Sequence, residues 1–155
     1  MKKWMAGCLV VMSLLGLCAC SQSASYTTGL LSMVEEAGAF SEELEVLDQE
    51  TAFMVYRLGD YELEQESLIG CAALRSSGAT CEEGVVLVWE SQKQAQQALT
   101  ALQDYVESQI ETNENYRPNE IPKLEGARVE QLGNSVVLIV AAHMDIVTDV
   151  ISKIG

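Results

Sequence analysis

Leu68 to Leu74 reads LIGCAAL, Arg75 to Gly78 reads RSSG, and Val85 to Trp89 reads VVLVW; from Ser91 the chain continues SQKQAQQALTALQDYVESQI. Two apolar, β-rich runs on either side of a Ser-Ser-Gly turn predict a hairpin whose strands are both largely buried. Ser91 and Gln94 have the spacing of a capping box, and Ala95, Ala98, Leu99, Leu102, Tyr105 or Val106, Gln109 and Ile110 follow the helical period. A helix of about twenty residues is therefore expected after the hairpin, ending before Pro118.

The same order recurs downstream. Ala127 to Leu132 alternates, Gly133-Asn134 turns, and Ser135 to Ala142 (SVVLIVAA) is a second buried strand. From Asp145 onward, Ile146, Val147, Val150, Ile151 and Ile154 share a helical face. The strands GVVLV from Gly84 and SVVLI from Ser135 lie 51 residues apart, a match that either a duplication or shared β composition produces. The expected fold is α+β: a four-stranded, mostly antiparallel sheet from two β-hairpins, each followed by a helix, with the helices on one face.

Upstream, Leu30, Leu31, Met33, Val34 and Ala37 form an apolar stripe, with Thr28 as its cap and Gly38 as its stop. A Glu-rich linking stretch runs from Phe40 to Leu47. Asp48 then caps a second short helix in which Thr51, Met54, Val55 and Leu58 share a face; Ala52 to Leu58 also suits a strand. These N-terminal helices complete a single domain over residues 29–155.

The first twenty residues read differently. Lys2 and Lys3 precede an uncharged run of 14 residues from Trp4 to Leu17. As a helix that run reaches about 21 Å, short of a hydrocarbon core of ~30 Å, and so suits a signal peptide over residues 1–19 better than a membrane span. Leu17-Cys18-Ala19-Cys20 resembles the lipobox of bacterial lipoproteins, with Cys18 departing mildly from the small residue usual there. The resemblance implies cleavage after Ala19 and a diacylglyceryl group, with an added acyl chain such as palmitate, on Cys20. Residues 20–28 would be the lipidated cysteine and a short polar tether (SQSASYTT from Ser21).

Charge narrows the partners. The chain carries 9 basic and 23 acidic residues, −14 overall, and −16 once Lys2 and Lys3 leave. Nucleic acid is excluded, because phosphate binding needs clustered cations. Anionic headgroups repel such a body, so the lipid anchor must provide the membrane attachment. Two acyl chains suffice for that.

Of the five cysteines, Cys71 and Cys81 remain for the mature domain. A turn centred on Ser76 would set them opposite one another, where a disulfide would add roughly 3 kcal/mol. Two reduced core thiols and a functional redox pair are the alternatives. There is no C-x-x-C and no flanking base to lower a thiol pKa. The single histidine, His143, lacks a nucleophile elbow to serve and reads as a capping or surface residue. The clusters Glu35-Glu36, Glu42-Glu43-Glu45, Glu62-Glu64-Glu66 and Glu82-Glu83 match no calcium loop and read as a solvated acidic face. Tyr116-Arg117-Pro118 could present an aromatic and a guanidinium to a partner, or Tyr116 could cover the end of the long helix. No zinc spacing, dinucleotide fingerprint or phosphate loop is present, so no cofactor and no metal is expected beyond the lipid on Cys20.

From about Leu44 to Ala142 the chain resembles a family of small, mainly Gram-positive bacterial lipoproteins carrying a domain of unknown function. The resemblance is carried by Leu44-Glu45-Val46-Leu47-Asp48, by Ser77-Gly78-Ala79 with Glu82-Glu83, by Tyr116-Arg117-Pro118 and by Gly133-Asn134. Ser135 departs from the aromatic expected there. The resemblance implies a location on the extracytoplasmic face of the cell membrane and no catalytic residues. The expected function is a non-catalytic binding module in the envelope, taking another envelope protein or a small ligand. A thiol-based enzyme using Cys71 or Cys81 and a structural spacer are the alternatives.

Overall fold

The structure, a computed structural model, describes residues 24–154; the expected signal peptide and Cys20 lie outside the described residues. Five strands form one sheet: β1 (Glu45–Leu47), β2 (Leu68–Arg75), β3 (Glu83–Trp89), β4 (Arg128–Leu132) and β5 (Ser135–Val140). Their order is β1-β2-β3-β5-β4, and every neighbouring pair is antiparallel. The expected α+β class and both hairpins are present. The count of four strands is corrected to five, because the Glu-rich stretch before Asp48 pairs with β2 through Glu45, Val46 and Leu47. Three residues with two exposed side chains carry no alternation to read.

The helices are not confined to one face, which is a second correction. The long helix α3 (Gln92–Asn113) lies on one side of the sheet, where Ala95, Ala98, Ala101 and Leu102 pack with Val85, Leu87, Trp89, Val136 and Leu138. Small alanines let that helix approach the strands closely. On the other side α1 (Leu30–Glu36) and α5 (Met144–Ser152) cover Val86, Val137 and Ile139. Alternate residues of β3 and β5 thus enter two different cores. That is why these strands read as unbroken apolar runs: a sheet covered on both faces has no solvent side to encode. Each fully buried aliphatic side chain contributes about 1.5–3 kcal/mol.

Opposite placement also bears on the apparent repeat. Both halves show hairpin then helix, yet α3 and α5 sit on opposite faces of the sheet. Two such units have opposite handedness, so no rotation superposes one on the other, and shared β composition accounts for the matching strands.

The second helix, α2 (Gln49–Val55), is capped as expected, the Asp48 side chain accepting from the Thr51 N–H at 2.7 Å. Its buried face is different from the expected one. Ala52 and Tyr56 turn inward while Met54 is 63 % exposed. Arg57 in the left-handed region then ends the helix, and a short 3-10 turn follows at Leu58–Tyr61. Another such turn, Pro118–Glu120, leads into α4 (Ile121–Glu125), where Leu124 is buried and Lys123 is brought to the β3 end of the sheet. Tyr26, assigned by sequence to the tether, is buried: its N–H donates to Ser135 Oγ at 2.6 Å and its hydroxyl donates to Glu130.

Candidate functional site

At the end of the sheet where β2 leaves and β3 enters, the chain makes a seven-residue loop, 76–82, closed by the Arg75–Glu83 pair. The loop is pinned by side chains as well as by one backbone bond at its neck. Ser76 Oγ accepts from the Gly78 and Thr80 N–H groups, both at 3.1 Å, and the Ser76 N–H donates to the Glu82 carbonyl at 2.9 Å. Gly78 has φ +124°, a conformation open to glycine and costly for other residues. Thr80 Oγ1 donates to Glu42 at 2.6 Å, Arg117 Nη1 donates to the Thr80 carbonyl at 2.9 Å, and the Cys81 N–H donates to Glu120 at 2.9 Å.

Between this loop, β1 and the C-terminal half of α3 lies a cleft of about 380 Å³, lined among others by Arg75, Ser76, Cys81, Glu83, Gln109 and Arg117. Glu83 forms its floor and is 3 % exposed. The hydroxyls of Tyr56 and Tyr105 donate to Glu83 Oε2 at 3.0 and 3.1 Å, and Arg75 Nε stands 3.9 Å from the same oxygen. Oε1 has no hydrogen-bond partner among the described residues. Burial pushes the Glu83 carboxyl above the usual range, against the Arg75 charge and the two hydroxyls, which pull it down. Burial, followed by the charge of Glu83, raises both Tyr56 and Tyr105, so these phenols stay protonated donors. On the far side of Tyr56 and Tyr105 a second cavity, also about 380 Å³, is lined by Tyr61 and Asp104 and shares Gln109 with the first.

Glu82, one residue away, is fully buried and fully partnered. It accepts from the Ser41 N–H at 2.7 Å, from Ser41 Oγ at 2.6 Å and from Lys123 Nζ at 2.8 Å. Burial raises its pKa, but the combined bonds from Lys123 and Ser41 outweigh burial and hold it below the ordinary value. Glu82 and Glu83 are therefore not part of a solvated acidic face, as their pairing suggested. Glu42 is half-buried, and the remaining members, Glu35, Glu36, Glu43, Glu45, Glu62, Glu64 and Glu66, are exposed.

The cysteines are not bridged. Both thiols are free, and the register shows why. Cys71 lies opposite Leu87, whereas Cys81 precedes Glu83, the partner of Arg75. Four residues of strand separate Glu83 from Leu87, which is about 13 Å. The turn is centred near Ala79, not Ser76, so the two Cα atoms are far beyond the ~7 Å that a disulfide spans. Burial pushes the Cys71 thiol up to about 11, with Asp48 adding to the effect. Burial also raises Cys81, although Arg117 opposes it.

Tyr116, Arg117 and Pro118 do not act as one surface. Tyr116 is 84 % exposed, while Arg117 is half-buried and directed into the cleft. His143 is exposed, and its side chain makes no cap to α5. Sequence reasoning missed Arg75, Glu83, Tyr56 and Tyr105 as a group. The available signal was the position of Glu83 at the mouth of an apolar strand, where a charged residue cannot avoid burial.

Among the described residues no helix is long and apolar enough to cross a membrane, and no three His, Cys, Asp or Glu side chains are grouped to hold a metal ion. No curated protein and no solved structure matches the chain. Residues 59–141, more than half of the chain, match the family model described as a domain of unknown function, DUF4358. That span contains Arg75, Cys81, Glu83, Tyr105 and Arg117, and leaves out Tyr56. The chain belongs to the DUF4358 family.

Proposed function

We propose that this protein is a lipid-anchored, extracytoplasmic binding module whose ligand is a small molecule held in the cleft beneath the 76–82 loop. Anchoring rests on the Leu17-Cys18-Ala19-Cys20 pattern behind a short apolar run. Binding rests on one observation above all: Glu83, a residue only 3 % exposed, lines a formed cleft, and its Oε1 has no hydrogen-bond partner among the described residues yet is not sealed from solvent. The volume of about 380 Å³ falls within the range of small-molecule sites.

The dithiol alternative has less support. Cys71 and Cys81 lie too far apart to exchange a disulfide, and burial keeps both thiols protonated near neutrality. A spacer role does not account for a rigidly pinned loop above a buried carboxyl.

Two measurements test the proposal. Palmitate fed to cells producing the full chain should label it, and Cys20→Ser should abolish the label; labelling of both would sink the anchor assignment. Thermal-shift screening of the full chain against a small-metabolite library should find stabilising compounds whose effect disappears in Leu47→Trp, a substitution in the wall of this cleft and not of the second cavity. Compounds that stabilise both proteins equally would place the ligand elsewhere.

A further inference from the structure

We infer that the cleft takes a small hydroxy acid or amino acid, its carboxylate held by Arg117 and Arg75 and its hydroxyl or amino group donating to Glu83 Oε1. This inference rests on the binding role proposed above and assigns the chemistry of the ligand.

The charges within the cleft carry the argument. Among the described residues, Arg117 has no carboxylate within ion-pair distance, in a chain with 23 acidic residues and a net charge of −14. Its side chain is held in place instead by two neutral contacts from Nη1, to the Thr80 carbonyl at 2.9 Å and to Cys81 Sγ at 4.0 Å, which leave the outer edge of the guanidinium unoccupied among the described residues. Arg75 is the second cation of the cleft, and its contact with Glu83 is loose, 3.9 Å from Nε. Glu82, the other buried acid here, is already taken up by Lys123 and Ser41.

Two planar guanidiniums, one unmatched and one weakly matched, suit a carboxylate, which each can bind through two parallel N–H donors. A bare carboxylate would leave Glu83 Oε1 as it is. A donor on the adjacent carbon would satisfy it, and this distinguishes a hydroxy or amino acid from a simple fatty acid. Tyr56 and Tyr105 already occupy Oε2, so the direction in which Oε1 can accept is set before the ligand arrives.

Calorimetric titration of the full lipidated chain in detergent micelles tests this with lactate, alanine, propionate, alanine amide and inorganic phosphate. Lactate or alanine should bind saturably, at least tenfold more tightly than propionate, and alanine amide should not bind. Arg117→Gln, which removes the contacts to Thr80 and Cys81 of the 76–82 loop, should weaken the binding at least tenfold, with Arg117→Lys intermediate. Equal binding of propionate and lactate would remove Glu83 from the site. Preference for phosphate, or binding of alanine amide, would overturn the carboxylate assignment while leaving a ligand site in the cleft. No heat from any probe up to about 10 mM, a very weak affinity, would overturn the assignment. A metabolite found by the thermal-shift screen and lost in Leu47→Trp would then show that the binding role itself survives.

Discussion

Glu82 and Glu83 are adjacent, both buried, and shifted in opposite directions: the first is held ionised by Lys123 and Ser41, the second is pushed towards its neutral form between two tyrosine hydroxyls. Strand alternation sends the two side chains to opposite sides of the chain at the point where β3 begins. One carboxylate ties the loop at Ser41 to α4. Its neighbour is left facing a cleft.

Glu83→Gln should make the protein more stable near neutrality. A carboxyl whose folded pKa is raised contributes stability that is present below its unfolded value, near 4.5, and is lost as pH rises through the folded value. Glutamine mimics the neutral acid and does not undergo that loss. Melting temperature followed across pH should show the variant gaining on the parent as pH rises above about 4.5. Parallel curves would mean that Glu83 ionises as freely in the folded protein as in the unfolded one.

Glu82→Ala should act in the reverse sense and cost about 1.5–3 kcal/mol, the range for hydrogen bonds to a charged group, since Lys123 keeps Glu120 at 3.1 Å. The lowered pKa of Glu82 gives stability that is present above its unfolded value and lost as pH falls through the folded one. Urea denaturation should therefore show the penalty at neutral pH and a smaller one in acid. A penalty that stays constant with pH would leave packing, not charge, as its source.

Gly84→Ala should be destabilising by about 1–3 kcal/mol, the usual cost of overpacking. An added Cβ would lie 2.8 Å from Leu31 Cδ2, and Leu31 is only 2 % exposed, with little room to withdraw. Leu31→Ala in the same chain should recover part of the loss, measured as a non-additive double-mutant cycle. Strict additivity would show that the two sites do not meet.

Alkylation of the folded protein at neutral pH should be slow at both cysteines and slowest at Cys71, whose thiol is pushed up to about 11. In denaturant, without reductant, both Cys71 and Cys81 should react fully. Peptide mass mapping that finds them joined would contradict the strand register.

The hairpins and the long helix were legible because local signals agreed: Ser91 does cap α3, its side chain accepting from the Gln94 N–H at 3.3 Å, and Gly133 does turn with positive φ between β4 and β5. What could not be read depended on partners distant in sequence. Which face a helix covers is decided by the sheet, so Val86 and Val85 look alike in the chain and lie in different cores. β1 exists because Val46 finds Leu74 across 28 residues, not because three residues have a pattern. The cleft has the same origin. Tyr56, Glu83 and Tyr105 are far apart along the chain, and only the meeting of α2, β3 and α3 makes a site of them.

Tyr26 fixes more than a tether. It is bound to Ser135, which pairs with Val88, whereas Glu83 pairs with Val140 at the opposite end of the same two strands. If Cys20 carries the lipid, five intervening residues, a reach of at most about 22 Å from Cys20 to Tyr26 when extended, join the acyl chains to the Tyr26 end of the sheet. The cleft then opens at the pole farther from the bilayer, directed at whatever diffuses past the cell surface and not at the lipids that hold the protein there.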